Sequence, residues 1–282
     1  MPVNRTWLSH LPIKNIISCT PVSGGDINES YCIRTPNAKY FMKMQPGRGK
    51  IFFAHEVEGL KLLSQAARVP KVITYGQVGQ DGYLILNWLD FGTGSQYALG
   101  QTVAHVHQIH AKKFGLDHDF KVGRIPKINQ WQDSWVTFYI KQRMDPLVRL
   151  TKKHGHWNSF REQHYQNLRK AFIKYYSDPR HQVVPSLLHG DLWGGNYEFT
   201  ADGKPMLIDP DVYFGDREWD LAITTVFGGF NQDFYRGYES VYPTKPGIRK
   251  RLPFYQVNYL MCHLNLFGEA YGPSVDNILA RY

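Results

Sequence analysis

The sequence is poor in cysteine and has no long apolar run. Its three cysteines, Cys19, Cys32 and Cys262, are odd in number, far apart and outside any Cys-x-x-Cys pair. This pattern argues against a disulfide framework and against a zinc site. Because no run of about eighteen apolar residues is present and residues 1–6 do not begin a signal peptide, we expect a cytoplasmic protein without a membrane span.

Internal repeats, low-complexity tracts and long polar linkers are also missing, and no Gly-x-x-x-x-Gly-Lys-Ser/Thr motif occurs. The missing motif argues against a P-loop enzyme. The net charge of +9 comes from 33 basic and 24 acidic residues. Since the basic residues are scattered, we expect anionic ligands rather than a nucleic-acid partner. The chain has 282 residues, 43% of them hydrophobic, and can form one large domain or two lobes.

A glycine-rich loop at residues 189–196 combines a carboxylate with a carboxamide. Asp191 and Asn196 stand in the run His-Gly-Asp-Leu-Trp-Gly-Gly-Asn, which follows the apolar segment 183–188. That segment is predicted to enter the loop from a buried core. The Asp-x-x-x-x-Asn spacing is that of the kinase catalytic loop, in which the Asp accepts the proton of the attacking hydroxyl and the Asn holds a metal ion. The loop is therefore predicted to be catalytic.

A β-hairpin is predicted after this loop. A two-residue turn at 202–203 would pair Phe199 with Met206 and, further out, Asn196 with Asp209. Opposed residues lie on one face of a hairpin about 4.5–5.5 Å apart, so both side chains are expected to point toward the catalytic carboxylate. Converging oxygen ligands suit Mg²⁺, which takes the rest of its shell from water and substrate phosphates.

The N-terminal part offers a lysine and a glutamate for phosphate binding. Lys43 lies near the end of a strand-like run at 39–44, and apolar residues with a 3.6-residue period predict a helix from 52 to 67. Glu56 lies beside the apolar stripe of this helix and is preferred over Glu58 as the ion-pair partner of the lysine. In kinases such a pair fixes the ammonium group against the α- and β-phosphates.

A glycine turn before the first strand-like run is a second candidate for phosphate binding. It contains Gly24, Gly25 and Asp26. A Gly-Gly pair allows backbone N–H groups to close over phosphates, although such turns are also common in ordinary hairpins.

The predicted hinge lies between a buried-strand run at 83–86 and a breaker cluster at 91–95. Asn87, Trp88 and Leu89 lie in this hinge, where backbone atoms would pair with an adenine edge.

Three histidines, His105, His107 and His110, fall in a helix predicted from residue 97 to residue 111. The first two lie about 200° apart on a helix of about 3.6 residues per turn, so they cannot share a face. We therefore expect core or surface histidines rather than metal ligands.

The motifs together resemble the fructosamine kinase family, within the aminoglycoside-phosphotransferase group. They are the run at 189–196, Leu-Ile-Asp-Pro at 207–210 and Tyr-Phe-Gly-Asp-Arg-Glu-Trp-Asp-Leu-Ala at 213–222. The aromatic-rich segment 114–147 also looks like the insertion of that family. The resemblance runs through nearly the whole chain.

The resemblance implies a protein-kinase-like, two-lobed α/β (α+β) fold. A mostly β, nucleotide-binding N-terminal lobe would span residues 1–86, and the hinge would span residues 87–91. A helical catalytic and acceptor-binding lobe would span residues 92–282.

The implied reaction is the phosphorylation by ATP, with Mg²⁺, of the 3-hydroxyl of a ketosamine, a sugar joined to an amine or to a protein lysine. Asp191 would be the base, and Asn196 and Asp209 would hold the metal. A kinase for another amine-bearing alcohol, such as an aminoglycoside, shares every catalytic residue and remains an alternative. A non-catalytic nucleotide-binding module is a further alternative, although it would be expected to lack a base or metal residue. We expect a monomer or weak homodimer.

Candidate acceptor contacts are Trp193 in the loop, Trp131 in the insertion and Asp211. Asp211 and Asp216 could meet an amine on the substrate or could cap turns. By resemblance, Asp220 would brace the catalytic loop through backbone hydrogen bonds.

Overall fold

The structure is a computed structural model that describes residues 3–22, 28–122 and 125–282. The predicted phosphate turn, with Gly24, Gly25 and Asp26, lies outside the described residues.

The helices and strands up to residue 95 are α1 Arg5–Ser9, β1 Ser18–Pro21, β2 Glu29–Arg34, β3 Lys39–Gln45, α2 Ile51–Leu63, β4 Val72–Val78 and β5 Asp81–Asn87. Those from 96 to 196 are α3 Gln96–His107, β6 Phe120–Val122, β7 Ile125–Lys127, α4 Trp135–Thr137, α5 Asp145–Lys153, α6 Ser159–Tyr176 and β8 Ser186–Leu188, with a π-helix at Phe138–Met144 between α4 and α5. The remainder are β9 Tyr197–Phe199, β10 Pro205–Leu207, β11 Tyr213–Gly215, α7 Glu218–Ile223, α8 Gln232–Val241, α9 Ile248–Phe267 and α10 Gly272–Leu279.

The chain divides into two compact units that interleave along the sequence. The N-terminal unit comprises Met1–Ser95 and Tyr197–Asp211, and the C-terminal unit comprises Gln96–Asn196 and Val212–Tyr282. The sequence-based division placed all residues after 91 in one lobe, whereas the β9–β10 hairpin belongs with the N-terminal unit.

The N-terminal unit is built on an antiparallel sheet in the order β1-β2-β3-β5-β4. Side chains alternate between the two faces of a strand, so Met42 and Met44 of β3 pack into one apolar cluster while Lys43 lies on the opposite face. Lys43 is paired in register with Leu84 of β5. Leu84 packs with Phe53 of α2 on that face, and this pattern directs the lysine toward the helix.

The turn of the β9–β10 hairpin has three residues instead of the predicted two. The N–H of Gly203 donates to the carbonyl of Thr200 at 2.7 Å, and the N–H of Thr200 donates to the carbonyl of Lys204 at 2.9 Å. Gly203 has a φ of 76°, as expected for a type I turn followed by a left-handed glycine. Asp-Gly is compatible with this three-residue turn as well as with a two-residue turn, so the predicted turn length was wrong.

The register is consequently shifted by one residue. Phe199 pairs with Pro205 and not with Met206. The predicted register was wrong. The pairing of Asn196 with Asp209 was counted from that register and is therefore no longer supported by it. The convergence of these two side chains stays a prediction.

The C-terminal unit is mainly helical. Helices α3 and α8 approach closely through two glycines: a Cβ on Gly100 would lie 2.0 Å from the carbonyl oxygen of Phe234, and one on Gly237 would lie 2.0 Å from that of Tyr97. The helix predicted at 97–111 begins at Gln96 and ends at His107. Within the described ranges, no helix is long and apolar enough to cross a membrane.

Candidate active site

Asp220 braces the loop at residues 189–196, which we call the catalytic loop for its predicted role. Its Oδ2 accepts from the N–H of His189 at 2.7 Å, and its Oδ1 accepts from the N–H of Gly190 at 2.9 Å. Asp220 is completely buried, so these bonds offset the cost of removing its carboxylate from water. The bracing role implied by the resemblance is confirmed.

A buried histidine completes the support of Asp220. Nε2 of His107 lies 3.0 Å from Oδ2 of Asp220, and Nδ1 lies 2.8 Å from the hydroxyl of Tyr238. Both ring nitrogens of His107 are therefore used within the core, which confirms the expectation of a core histidine. On the other side of the loop, Nε1 of Trp219 donates to the carbonyl of Gly190 at 3.1 Å.

Both carboxylate oxygens of Asp191 accept hydrogen bonds. The hydroxyl of Tyr259 donates to Oδ1 at 2.8 Å, and Nδ2 of Asn196 donates to Oδ2 at 2.9 Å and to the backbone carbonyl of Asp191 at 2.8 Å. A carboxylate fixed in this way is preorganised to orient a hydroxyl and to accept its proton. Sequence reasoning missed Tyr259, because a tyrosine in an amphipathic helix carries no signal beyond that of a core aromatic.

The two loop glycines have different neighbours. A Cβ on Gly194 would lie 3.0 Å from Cα of Gly229, and one on Gly195 would lie 2.3 Å from the indole of Trp193. Gly195 therefore makes room for the Trp193 ring, and Gly194 makes room for the 226–230 loop.

The candidate acceptor contacts Trp193 and Trp131 are partly exposed, at 39% and 36%. Trp131 donates from Nε1 to Oδ1 of Asp117 at 2.8 Å, which fixes the plane of its indole. Other aromatics of the insertion pack in the core, including Trp135 and Phe138.

The predicted ion pair forms in the N-terminal unit. Nζ of Lys43 lies 2.8 Å from Oε1 of Glu56 and also contacts Oδ1 of Asp209. Lys43 is buried, whereas 41% of the Asp209 side chain is exposed. Asp209 has a φ of 51°, in a left-handed region that Asp enters more readily than most residues. The choice of Glu56 as partner is confirmed, and the phosphate-binding role of the pair stays a prediction.

Burial and the neighbouring charges shift the pKa values of Lys43 and Glu56 in opposite directions. Burial alone would lower the pKa of Lys43, but the charges of Glu56 and Asp209 outweigh it and hold the pKa above its ordinary value. Burial raises the pKa of Glu56 to about 7, although the Lys43 charge opposes the rise. The lysine is therefore charged at neutral pH, while the pKa of its glutamate partner is raised toward neutrality.

Asp211 and Asp216, which could each contact a substrate amine or cap a turn, have distinct environments. Asp211 is buried, and its Oδ1 lies 3.4 Å from Nε2 of His55. Asp216 is also buried; its Oδ1 accepts from the N–H of Glu218 at 3.0 Å, and its Oδ2 accepts from the hydroxyl of Tyr255 at 2.5 Å. Asp216 therefore caps the turn that begins α7. A substrate contact by Asp211 stays a prediction.

Asn87 is the last residue of β5, and Trp88 and Leu89 follow it directly. Oδ1 of Asn87 accepts from the N–H of Lys71 at 2.6 Å, and the N–H of Trp88 lies 3.4 Å from the carbonyl of Lys39. These contacts tie the start of the hinge to the sheet. The adenine contact predicted for Asn87, Trp88 and Leu89 is not tested by them.

The available oxygen donors fit Mg²⁺ better than a softer metal. Nδ2 of Asn196 is directed at Asp191, so Oδ1 is the atom that Asn196 could offer to a metal, and the Asp209 side chain is 41% exposed. Such hard oxygens suit Mg²⁺. Among the described residues, no cluster of three or more His, Cys, Asp or Glu side chains could hold a metal by itself.

Comparison with known proteins identifies the family. The sequence profile of the family described as fructosamine kinase matches residues 3–282. The chain belongs to the fructosamine kinase family. It is therefore a kinase. A probable ketoamine kinase of Lactiplantibacillus plantarum is 55% identical over 282 residues, which is 100% of both chains.

Solved structures confirm the fold. A candidate fructosamine-3-kinase from Haemophilus somnus superimposes with a TM-score of 0.84 at 27% identity, over 94% of this chain and 91% of that one. An aminoglycoside phosphotransferase superimposes with a TM-score of 0.68 at 14% identity, over 98% of both chains. The likeness to the second shows a shared fold alone. The protein-kinase-like α/β architecture expected from the sequence is confirmed.

Proposed function

We propose that this kinase transfers the γ-phosphoryl group of ATP to a sugar hydroxyl of a ketosamine. The observation that carries the proposal is the fixed carboxylate of Asp191. Its two oxygens are held by Tyr259 and Asn196, in a loop braced by the buried Asp220. This arrangement supports the role of a base that accepts the proton of an attacking hydroxyl.

Phosphoryl transfer requires positioning and charge stabilisation more than covalent chemistry. Asp191 orients the acceptor hydroxyl and takes its proton as the new P–O bond forms, while the bond from the γ-phosphorus to the β–γ bridging oxygen breaks and ADP leaves. Tyr259 and Asn196 prevent the carboxylate from turning away, so the acceptor oxygen keeps its alignment. Holding a reactant in this geometry removes much of the entropic cost of the reaction.

Lys43 is proposed to bind the α- and β-phosphates of ATP, with Glu56 holding its ammonium group in place. The predicted turn with Gly24, Gly25 and Asp26 and the hinge with its backbone atoms complete the proposed nucleotide contacts. Asn196 and Asp209 would hold Mg²⁺, which when bound neutralises the charge of the β- and γ-phosphates.

The acceptor is proposed from the family and from its relatives. The relative from L. plantarum is named a probable ketoamine kinase. A ketoamine carries its amine on the carbon two positions from the one that bears the reactive hydroxyl. Trp193 and Trp131 present partly exposed indoles that can stack on a sugar or attract a substrate ammonium, and Asp211 is the third proposed contact. Free adducts and glycated lysines of proteins are both covered by this proposal, and the need for ATP favours the cytoplasm as the place of action.

The proposal is tested by an acceptor screen. ADP release would be measured with fructosamines, ribulosamines, an aminoglycoside and choline, each with wild-type protein and with Asp191→Asn. We expect turnover with a ketosamine that the variant lacks. Turnover with the aminoglycoside or choline alone would refute the proposed acceptor and leave the kinase assignment intact.

A further inference from the structure

A row of aromatic rings begins at the proposed base and reaches the surface. Tyr259, His263 and Phe267 follow one another at four-residue spacing on α9, so they lie on one face of the helix. Phe227 and Tyr271 pack against them, and we call these five residues the aromatic ladder.

The rings of the ladder are in continuous contact. The centroid of His263 lies 4.7 Å from that of Tyr259, 4.8 Å from that of Phe227 and 5.6 Å from that of Phe267. Tyr271 lies 5.1 Å from His263 and 5.9 Å from Phe267. These distances are those of interacting aromatic pairs.

Exposure increases along the ladder. Tyr259, whose hydroxyl binds Asp191, is 7% exposed, whereas Phe227 and Phe267 are 43% and 53% exposed. The inner end thus contacts the base, and the outer end offers apolar surface to a ligand. Continuity with the base is what distinguishes these rings from the exposed Phe160 on α6.

The ladder is held in place from both sides. Gly229 approaches Gly194 of the catalytic loop so closely that a Cβ on it would lie 2.5 Å from Cα of Gly194, which positions the 226–230 loop. Arg161 binds Glu269, two residues before Tyr271, and its Nε lies 2.7 Å from Oδ1 of Asp276.

The ladder is also uncharged. Burial lowers the pKa of His263 below its ordinary value, against the opposing influence of the Tyr259 carbonyl and of Asp191, while the charge of Lys127 adds to the lowering. His263 is therefore neutral at neutral pH, and the rings present apolar faces.

The covalent structure of a ketosamine limits where its amine can lie. Four bonds separate the oxygen of the 3-hydroxyl from the amine nitrogen, so the two atoms lie within roughly 5 Å when bonds are about 1.5 Å long. Once the hydroxyl is at Asp191, the amine lies within about 5 Å of that oxygen, and the inner end of the ladder is within reach because Tyr259 contacts the same carboxylate.

We propose that the aromatic ladder is a subsite for an apolar, above all aromatic, amine substituent of the ketosamine, with Phe227 and Phe267 as the residues that select it. The proposal rests on the proposed function and deepens it. The sugar would be held at the catalytic loop, and the group carried by the nitrogen would lie on the ladder.

The test compares two adducts of one sugar, fructose joined to phenethylamine and fructose joined to methylamine. kcat/KM would be measured for wild type, Phe267→Ala, Phe227→Leu and the control Phe160→Ala, which removes a 40% exposed ring elsewhere on the same unit. With the phenethylamine adduct we expect the two ladder variants to lose about 2- to 12-fold, mainly through KM, the range that one aromatic contact supplies. With the methylamine adduct, and in the control, we expect no loss.

Equal losses with both adducts would overturn the subsite, because the rings would then support the sugar or the fold. No loss in either ladder variant would overturn it as well. Wild-type turnover of the methylamine adduct separates this failure from a failure of the proposed function. Melting temperatures near that of wild type confirm that the variants are folded.

Discussion

Tyr259 of α9 donates one hydrogen bond to the carboxylate of Asp191, the proposed base. A bond donated to a carboxylate favours its charged form and contributes about 1.5–3 kcal/mol. We predict that Tyr259→Phe lowers kcat/KM about 10-fold or more and moves the acid limb of its pH profile to higher pH. Kinetics between pH 5 and pH 9 would measure both effects.

The control for this variant is Tyr235→Phe, which also removes a hydroxyl that is hydrogen-bonded, here to Thr224 at 3.0 Å. It should leave the pH profile unchanged. If Tyr259→Phe lowers the rate without moving the acid limb, the tyrosine acts on packing and not on the carboxylate.

Glu56 is expected to make nucleotide binding depend on pH near neutrality. Burial raises its pKa to about 7, so below that pH the carboxyl binds a proton and loses the charge that orients Lys43. We predict that the affinity for ATP falls as the pH is lowered from 8 to 6, and that Glu56→Gln binds weakly at both values. Isothermal titration calorimetry would measure this.

The neighbouring Glu58 provides the control, because Glu58→Gln lies on the same helix and leaves the ion pair intact. Titration of ATP itself affects every variant alike. A wild-type pH dependence that persists in Glu56→Gln would show that another group is responsible.

At the scale of elements, the contact between the catalytic loop and the 226–230 loop depends on glycine. Gly229 has a φ of 88°, and its added Cβ would meet the backbone of Gly194 at 2.5 Å. We predict that Gly229→Ala lowers kcat by at least about 10-fold, because a shift as small as 1 Å at a reacting group can cost about 100-fold. Steady-state kinetics and thermal melting would be measured together.

Gly228 is a matched control for this prediction. Its φ is 78°, and a Cβ on it would meet nothing within 4 Å. Gly228→Ala therefore carries the same backbone cost, about 1–2 kcal/mol, without the clash. If both variants lose the same activity, backbone strain explains the loss and the loop contact does not.

Local patterns predicted individual elements well and distant pairings poorly. The helix that carries Glu56 follows from periodicity over a short stretch, and the resemblance to kinases supplied the pairing of Glu56 with Lys43. The hairpin register failed because Asp-Gly fits both a two-residue and a three-residue turn. No local sequence pattern predicts the role of Tyr259. It lies 68 residues from Asp191 in the sequence, and the two residues come into contact only in the folded protein.

At the scale of the whole molecule, the proposed chemistry is divided between two interleaved units. Lys43, Glu56 and Asp209 belong to the N-terminal unit, whereas Asp191 and Asn196 belong to the C-terminal one. The chain leaves the N-terminal unit after Ser95 and returns to it at Tyr197, directly after the catalytic loop. The motif Asp-x-x-x-x-Asn therefore ends where the chain passes from one unit to the other, a division that motif spacing alone does not predict.

The most direct test of the account is to locate the transferred phosphate. A fructosamine would be incubated with ATP, Mg²⁺ and either wild-type protein or Asp191→Asn, and the product would be examined by ³¹P–¹H correlation NMR. The account predicts a phosphate ester on the sugar 3-hydroxyl with wild type, and a rate about 10²–10⁴-fold lower with the variant at nearly unchanged ATP affinity. Phosphate on another atom, or wild-type turnover by Asp191→Asn, would contradict it.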